Sequence, residues 1–80
     1  MSPTQPTPMP LTSVQKGVRV RLATVEAGHR ASQRLTEMGL RPGALLRVMQ
    51  AGGPVMIEVL GQRLVLGYGM AEHLLVEPVN

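Results

Sequence analysis

The chain of 80 residues has no cysteine, no tryptophan, no phenylalanine and one tyrosine, Tyr68. Without cysteine it can build no disulfide framework, no thiolate nucleophile and no sulfur ligand for a metal. Aspartate is missing as well, and the five carboxylates, Glu26, Glu37, Glu58, Glu72 and Glu77, stand apart along the sequence. Neither a Ser-His-Asp nor a Cys-His arrangement can be assembled from this inventory, which points away from an enzyme. No P-loop and no GxGxxG fingerprint occurs, so nothing resembles a phosphate cradle and no cofactor is expected. No stretch approaches the ~18 apolar residues of a membrane-crossing helix, and the opening MSPTQPTPMP lacks the charged start and apolar run of a signal peptide. The expectation is a cytoplasmic protein with no direct membrane insertion.

Acid is scarcer than base. The isoelectric point of 10.7 accompanies a net charge of only +3 and a charged fraction of 16%. Seven of the eight basic residues are arginine, scattered between Arg19 and Arg63 with Lys16 ahead of them. That distribution describes a solvated face and no specific nucleic-acid track. The alternative is a small basic barrel that binds nucleic acid, with Arg19, Arg21 and Arg47 on one face. Single-strand binders of that size generally offer several aromatic stacking platforms, and one tyrosine is a poor supply.

What is present is aliphatic. With eleven leucines and ten valines, and with methionine and Ile57, the chain holds enough for one small core and one domain. Residues 1–10 carry Pro3, Pro6, Pro8 and Pro10 among polar side chains and read as a flexible tail; residues 11–80 read as the domain. GVRVRLATV alternates Val18, Val20 and Leu22 with Arg19 and Arg21, which predicts a strand with one wet face. Ala31, Leu35 and Met38 then recur at helical spacing as the stripe of a short helix. Further strands carry Leu46 and Val48, then Val55, Ile57 and Val59, then Leu64 and Leu66. Gly61 and Gln62 are expected to form the hairpin loop between the last two. GMAEHL suggests one helical turn before a closing strand with Leu74 and Val76 inward. About five short strands, one inserted helix and a late helical turn predict a mainly β fold, a small antiparallel barrel.

The stretch RLTEMGLRPG joins helix to strand. Gly39 falls where a helix ends in a left-handed residue, with Leu40 folding back on the last turn. Arg41, preceding proline, is pushed to an extended conformation. Pro42 and Gly43 suit the central positions of a type II turn.

Candidate site residues are few. His29 and His73 are the only imidazoles, and nothing in their spacing shows the three or four convergent ligands a transition metal needs. They are weak metal candidates. If the alternate strand residues face inward, Leu45, Met49, Met56, Leu60 and Val65 face outward; so many apolar side chains on a soluble domain suggest either a protein contact or cover by the helix and the returning tail.

From Leu11 to Pro78 the sequence resembles the FeoA family. RLTEMGLRPG is similar to the family element R-L-x-x-M-G-L-x-P-G, followed by Pro54, the run Leu64-Val65-Leu66, and Ala71 with Leu74 and Val76. The resemblance implies an SH3-like barrel with an inserted helix. It also implies a non-enzymatic accessory role in ferrous iron uptake, in contact with FeoB, a membrane permease bearing a GTP-binding domain. The motif falls on Leu35, Met38, Gly39, Leu40, Pro42 and Gly43, where Leu35 and Leu40 could border a groove for a partner segment. Family members often place a basic or polar residue after the L-x-L run; here Gly67, Tyr68 and Gly69 stand there, and Tyr68 offers a ring and a hydroxyl instead. The expected partner surface is therefore Leu35, Leu40, Met49, Met56, Leu60 and Tyr68, with homo-oligomerisation left open. Similar barrels also occur as C-terminal modules of metal-responsive transcription regulators, of which this chain could be a stand-alone relative.

Overall fold

The computed structural model describes residues 7–79. The first six residues of the expected tail lie outside them. Met9 and Pro10, expected in the Pro-rich tail, instead form a short strand, β1, paired with Val76 and Leu75. A single 3₁₀ turn over Leu11–Ser13 follows. The remaining elements are β2 (Arg19–Val25), α1 (His29–Glu37), β3 (Leu45–Gln50), β4 (Val55–Val59), β5 (Gln62–Leu66), α2 (Tyr68–Ala71) and β6 (Leu74–Pro78).

All six strands join one antiparallel sheet in the order β1-β6-β2-β3-β4-β5. Register shifts between Leu22 and Thr24 and between Val48 and Gln50 bend β2 and β3, as bulges do. Curvature wraps the sheet around its contents; among the described residues no ladder joins β5 to β1, so the sheet keeps two edges.

The core follows the alternation closely. Among the described residues fifteen apolar side chains are buried, led by Leu11, Leu22, Leu40, Ile57 and Leu74, and no polar or charged residue is buried with them. Val18 departs from the expected face: β2 begins one residue later and Val18 is exposed. Its backbone carbonyl accepts from the Val48 N–H at 3.0 Å, which places it at the strand's frayed entrance.

The helix-to-strand corner forms as its residues dictate. At the end of α1 the Leu40 N–H donates to the Leu35 carbonyl at 2.8 Å and the Gly39 N–H to the Thr36 carbonyl at 3.0 Å. With Gly39 at φ +94° this is a Schellman stop, and Leu40 and Leu35 are both buried beneath it. The Ala44 N–H then donates to the Arg41 carbonyl at 3.0 Å across Pro42 and a left-handed Gly43, the type II turn expected there. Two bonds to Leu22, from the Gly43 N–H at 2.7 Å and to the Ala44 carbonyl at 2.8 Å, fasten the corner to β2 and set the register of β3 beside it. Of the expected helical stripe only Leu35 is buried; Ala31 is half-buried and Met38 exposed.

One hairpin differs from its expected loop. Val59 pairs with Gln62, so the two-residue loop is Leu60-Gly61 and not Gly61-Gln62. Both loop residues have positive φ, 52° at Leu60 and 75° at Gly61, the pattern of a type I′ turn, whose twist matches that of the flanking strands. Leu60 is the one described non-glycine residue in this conformation. The late helical turn also starts earlier than expected, at Tyr68, with Gly67 before it.

Candidate functional site

Strand register decides what the outer face of the sheet presents. Arg19 of β2 lies opposite Arg47 of β3, Arg47 opposite Glu58 of β4, and Glu58 opposite Arg63 of β5. Cross-strand partners stand about 4.5–5.5 Å apart between Cβ atoms, so these four side chains form a continuous charged row across the sheet. The opposed pair Arg19 and Arg47 is unfavourable by itself; Glu58, between Arg47 and Arg63, offsets part of that repulsion.

Apolar side chains lie on either side of this row. On one side Leu45 and Leu60 line a shallow cleft of about 260 Å³ together with Arg19, Arg47, Glu58 and Gly61. Leu60 is 81% exposed and Leu45 49%. On the other side Met56 pairs with Val65 and with Gln50, beside Met49 at the β3 bulge. Val65 is exposed, whereas Met49 and Met56 are half-buried. The five outward apolar residues thus form two patches, not one. Leu60 at the hairpin tip is the most exposed and carries the strained backbone.

A second concavity, about 600 Å³, runs between α1 and the junction of β5 with α2. Its apolar lining comes from Ala31, Leu35, Met38, Leu66 and Met70, while Arg30 and Arg34 stand one turn apart on the helix. Leu35 therefore does border a groove, at its floor. Leu40 does not: it is fully buried, capping the helix from within, and no partner can reach it. Tyr68 is half-exposed on the first turn of α2 and lines neither concavity.

The imidazoles remain apart from any ligand set. His29 opens α1 and His73 follows α2, both exposed, and the Glu26 N–H donating to the His73 carbonyl at 2.7 Å brings their segments near one another. Among the described residues no three His, Cys, Asp or Glu side chains cluster as a metal site. No described helix is long and apolar enough to cross a membrane.

The charged row and the contribution of Leu66 and Met70 to the groove escaped the sequence. Each residue sits in a plain alternating pattern; the signal that would have found them is strand order, which alternation does not carry.

A family model described as the FeoA domain matches residues 9–78. A curated protein from Methanocaldococcus jannaschii, provisionally named Fe(2+) transport protein A, is 36% identical over 69 residues, covering 85% of this chain and 84% of its own. The crystal structure of an iron uptake regulatory protein (FeoA) superposes with a TM-score of 0.82 at 34% identity, covering 91% of this chain and 99% of that one. A manganese-dependent transcriptional repressor superposes with a TM-score of 0.84 at 18% identity, over 95% of this chain and 44% of the repressor. At that identity the likeness is one of fold.

Proposed function

Because the chain belongs to the FeoA family, we propose that it is a non-enzymatic cytoplasmic accessory protein of ferrous iron uptake that docks on the FeoB-type GTP-dependent permease. Docking uses the cleft of Leu45 and Leu60, flanked by Arg19 and Arg47. The observation that carries this reading is Leu60. A hairpin tip normally holds asparagine or glycine at a left-handed position; here it holds a leucine that is 81% exposed. That choice costs stability twice, in backbone strain and in bare apolar surface. A partner that covers the side chain recovers the second cost. Arginines around an apolar centre suit an interface whose rim is acidic.

The test is co-purification of the permease with the wild-type chain and with Leu45→Glu and Leu60→Glu. Both positions are solvent-facing, so both variants stay folded, and the complex is expected to be lost. Retention of the complex with both variants overturns the docking surface. GTP turnover by the permease domain, measured with and without saturating protein, separates a scaffold from an activator. An unchanged rate leaves docking intact and removes an arginine supplied in trans.

A further inference from the structure

Strand β5 is an edge. It ends the sheet order, and Val59 and Gln62, flanking the two-residue loop, close the hairpin as a hydrogen-bonded pair. Alternation then turns the backbone groups of Gln62, Leu64 and Leu66 toward β4 and those of Arg63 and Val65 away from it. Among the described residues, neither Arg63 nor Val65 finds another backbone partner.

Beside this edge runs α1. Its C-terminal end meets the hairpin tip, where Leu60 Cδ1 lies against Gly39, and its side chains share the groove with Leu66 at the strand's far end. Nine helical residues rise about 13 Å, and the five of β5 extend about 16 Å, so helix and strand are matched in length. The groove meets β5 at Leu66, next to the free backbone groups of Val65, and an edge strand with such groups beside a groove is a geometry that accepts an added strand.

We propose that β5 and α1 bind an extended, acidic segment of another protein by strand addition. Side chains of the segment that face the sheet interior settle against Leu35, Leu66 and Met70. Arg30 and Arg34 in the groove lining favour carboxylates in the segment, where Glu37 is the one acid, and Arg63 favours them on the sheet's outer face, where it stands opposite Glu58. An acidic peptide with alternate apolar residues therefore fits better than a second copy of this basic chain. The inference does not depend on the permease being the partner.

The probe is a capped peptide of about eight residues alternating valine with glutamate, titrated into the isotopically labelled chain. Binding is expected to shift the amide resonances of Arg63 and Val65 and to protect them from exchange. The same peptide methylated on its strand-facing backbone nitrogens is expected to bind roughly tenfold more weakly or worse. Val65→Pro removes an N–H that β4 does not use, and should abolish binding with the fold kept. If that variant does not fold, the methylated peptide decides the matter on the wild-type chain. Equal binding of the two peptides, no binding of either, or unmoved Arg63 and Val65 amides overturns the proposal. So does protection of those amides by self-association without peptide, which makes a second copy the occupant. Leu45→Glu, on β3 and outside this groove, should bind the probe normally, which separates this test from that of the permease surface.

Discussion

Replacing Leu60 by asparagine should make the protein more stable and less functional. The leucine sits at φ 52° in the first loop position of the β4–β5 hairpin, where a side chain with Cβ pays about 1–2 kcal/mol relative to its preferred conformation. Asparagine tolerates that region at lower cost, and Asn followed by Gly61 is a favoured type I′ pair. Against the gain stands the little burial that leucine has. Full burial of leucine is worth about 1.5–3 kcal/mol; with 81% of the side chain exposed, only about a fifth of it is lost. The difference is a net stabilisation of about 0.5–1 kcal/mol, or roughly 2–8 °C in Tm for a domain this small. Urea denaturation and a thermal scan followed by circular dichroism measure it. The permease complex, assayed in parallel, should weaken. A variant that is no more stable, or one that is stabilised and binds as before, refutes the idea that the strained leucine is kept for contact.

The two left-handed glycines of the corner provide an internal control. Gly39→Ala and Gly43→Ala carry similar backbone costs, at φ +94° and +96°, but a Cβ at Gly39 would meet Leu60 Cδ1 at 2.9 Å whereas Gly43 is open. Each should lose about 1–2 kcal/mol in urea denaturation, and the two should agree within about 0.5 kcal/mol because the exposed Leu60 side chain can swing aside. A much larger loss at Gly39 would show that Leu60 is held in place. Ile57→Ala, at a fully buried position of β4 beside Val48 and Leu64, should cost about 2–5 kcal/mol. In a domain with a margin of only about 3–5 kcal/mol, far-ultraviolet circular dichroism is expected to report a largely unfolded variant, and a native spectrum with less than about 1 kcal/mol lost contradicts a close-packed interior. Electrophoretic shifts at low and moderate salt should reveal only weak binding to nucleic acid, falling steeply as salt rises. Tight, salt-resistant, sequence-dependent binding would revive the alternative of a nucleic-acid barrel.

Much of this molecule could be read from its sequence because the deciding physics is local. Strand alternation sorts Val20, Leu46, Ile57 and Val76 inward wherever their partners lie, since neighbouring side chains on a strand point to opposite faces. The Gly39 stop and the Pro42-Gly43 turn depend on the conformations that those residues permit, and both appear as expected. So does the mainly β character. The hairpin loop lies one residue earlier than the expected glycine-first pair Gly61-Gln62, because the pairing of Val59 with Gln62 puts Leu60 into a conformation that leucine by itself does not choose.

Residue types and their spacing alone determined a small aliphatic core and a helix that stops at Gly39. Tertiary structure decided the rest. Only the strand order brings Arg19, Arg47, Glu58 and Arg63 into one row that divides the outward apolar residues, and only packing encloses Leu40 while leaving Leu35 at the floor of a groove. Which side chains become neighbours depends on contacts between segments far apart in the chain, and the period-two pattern within each segment is the same for every such pairing.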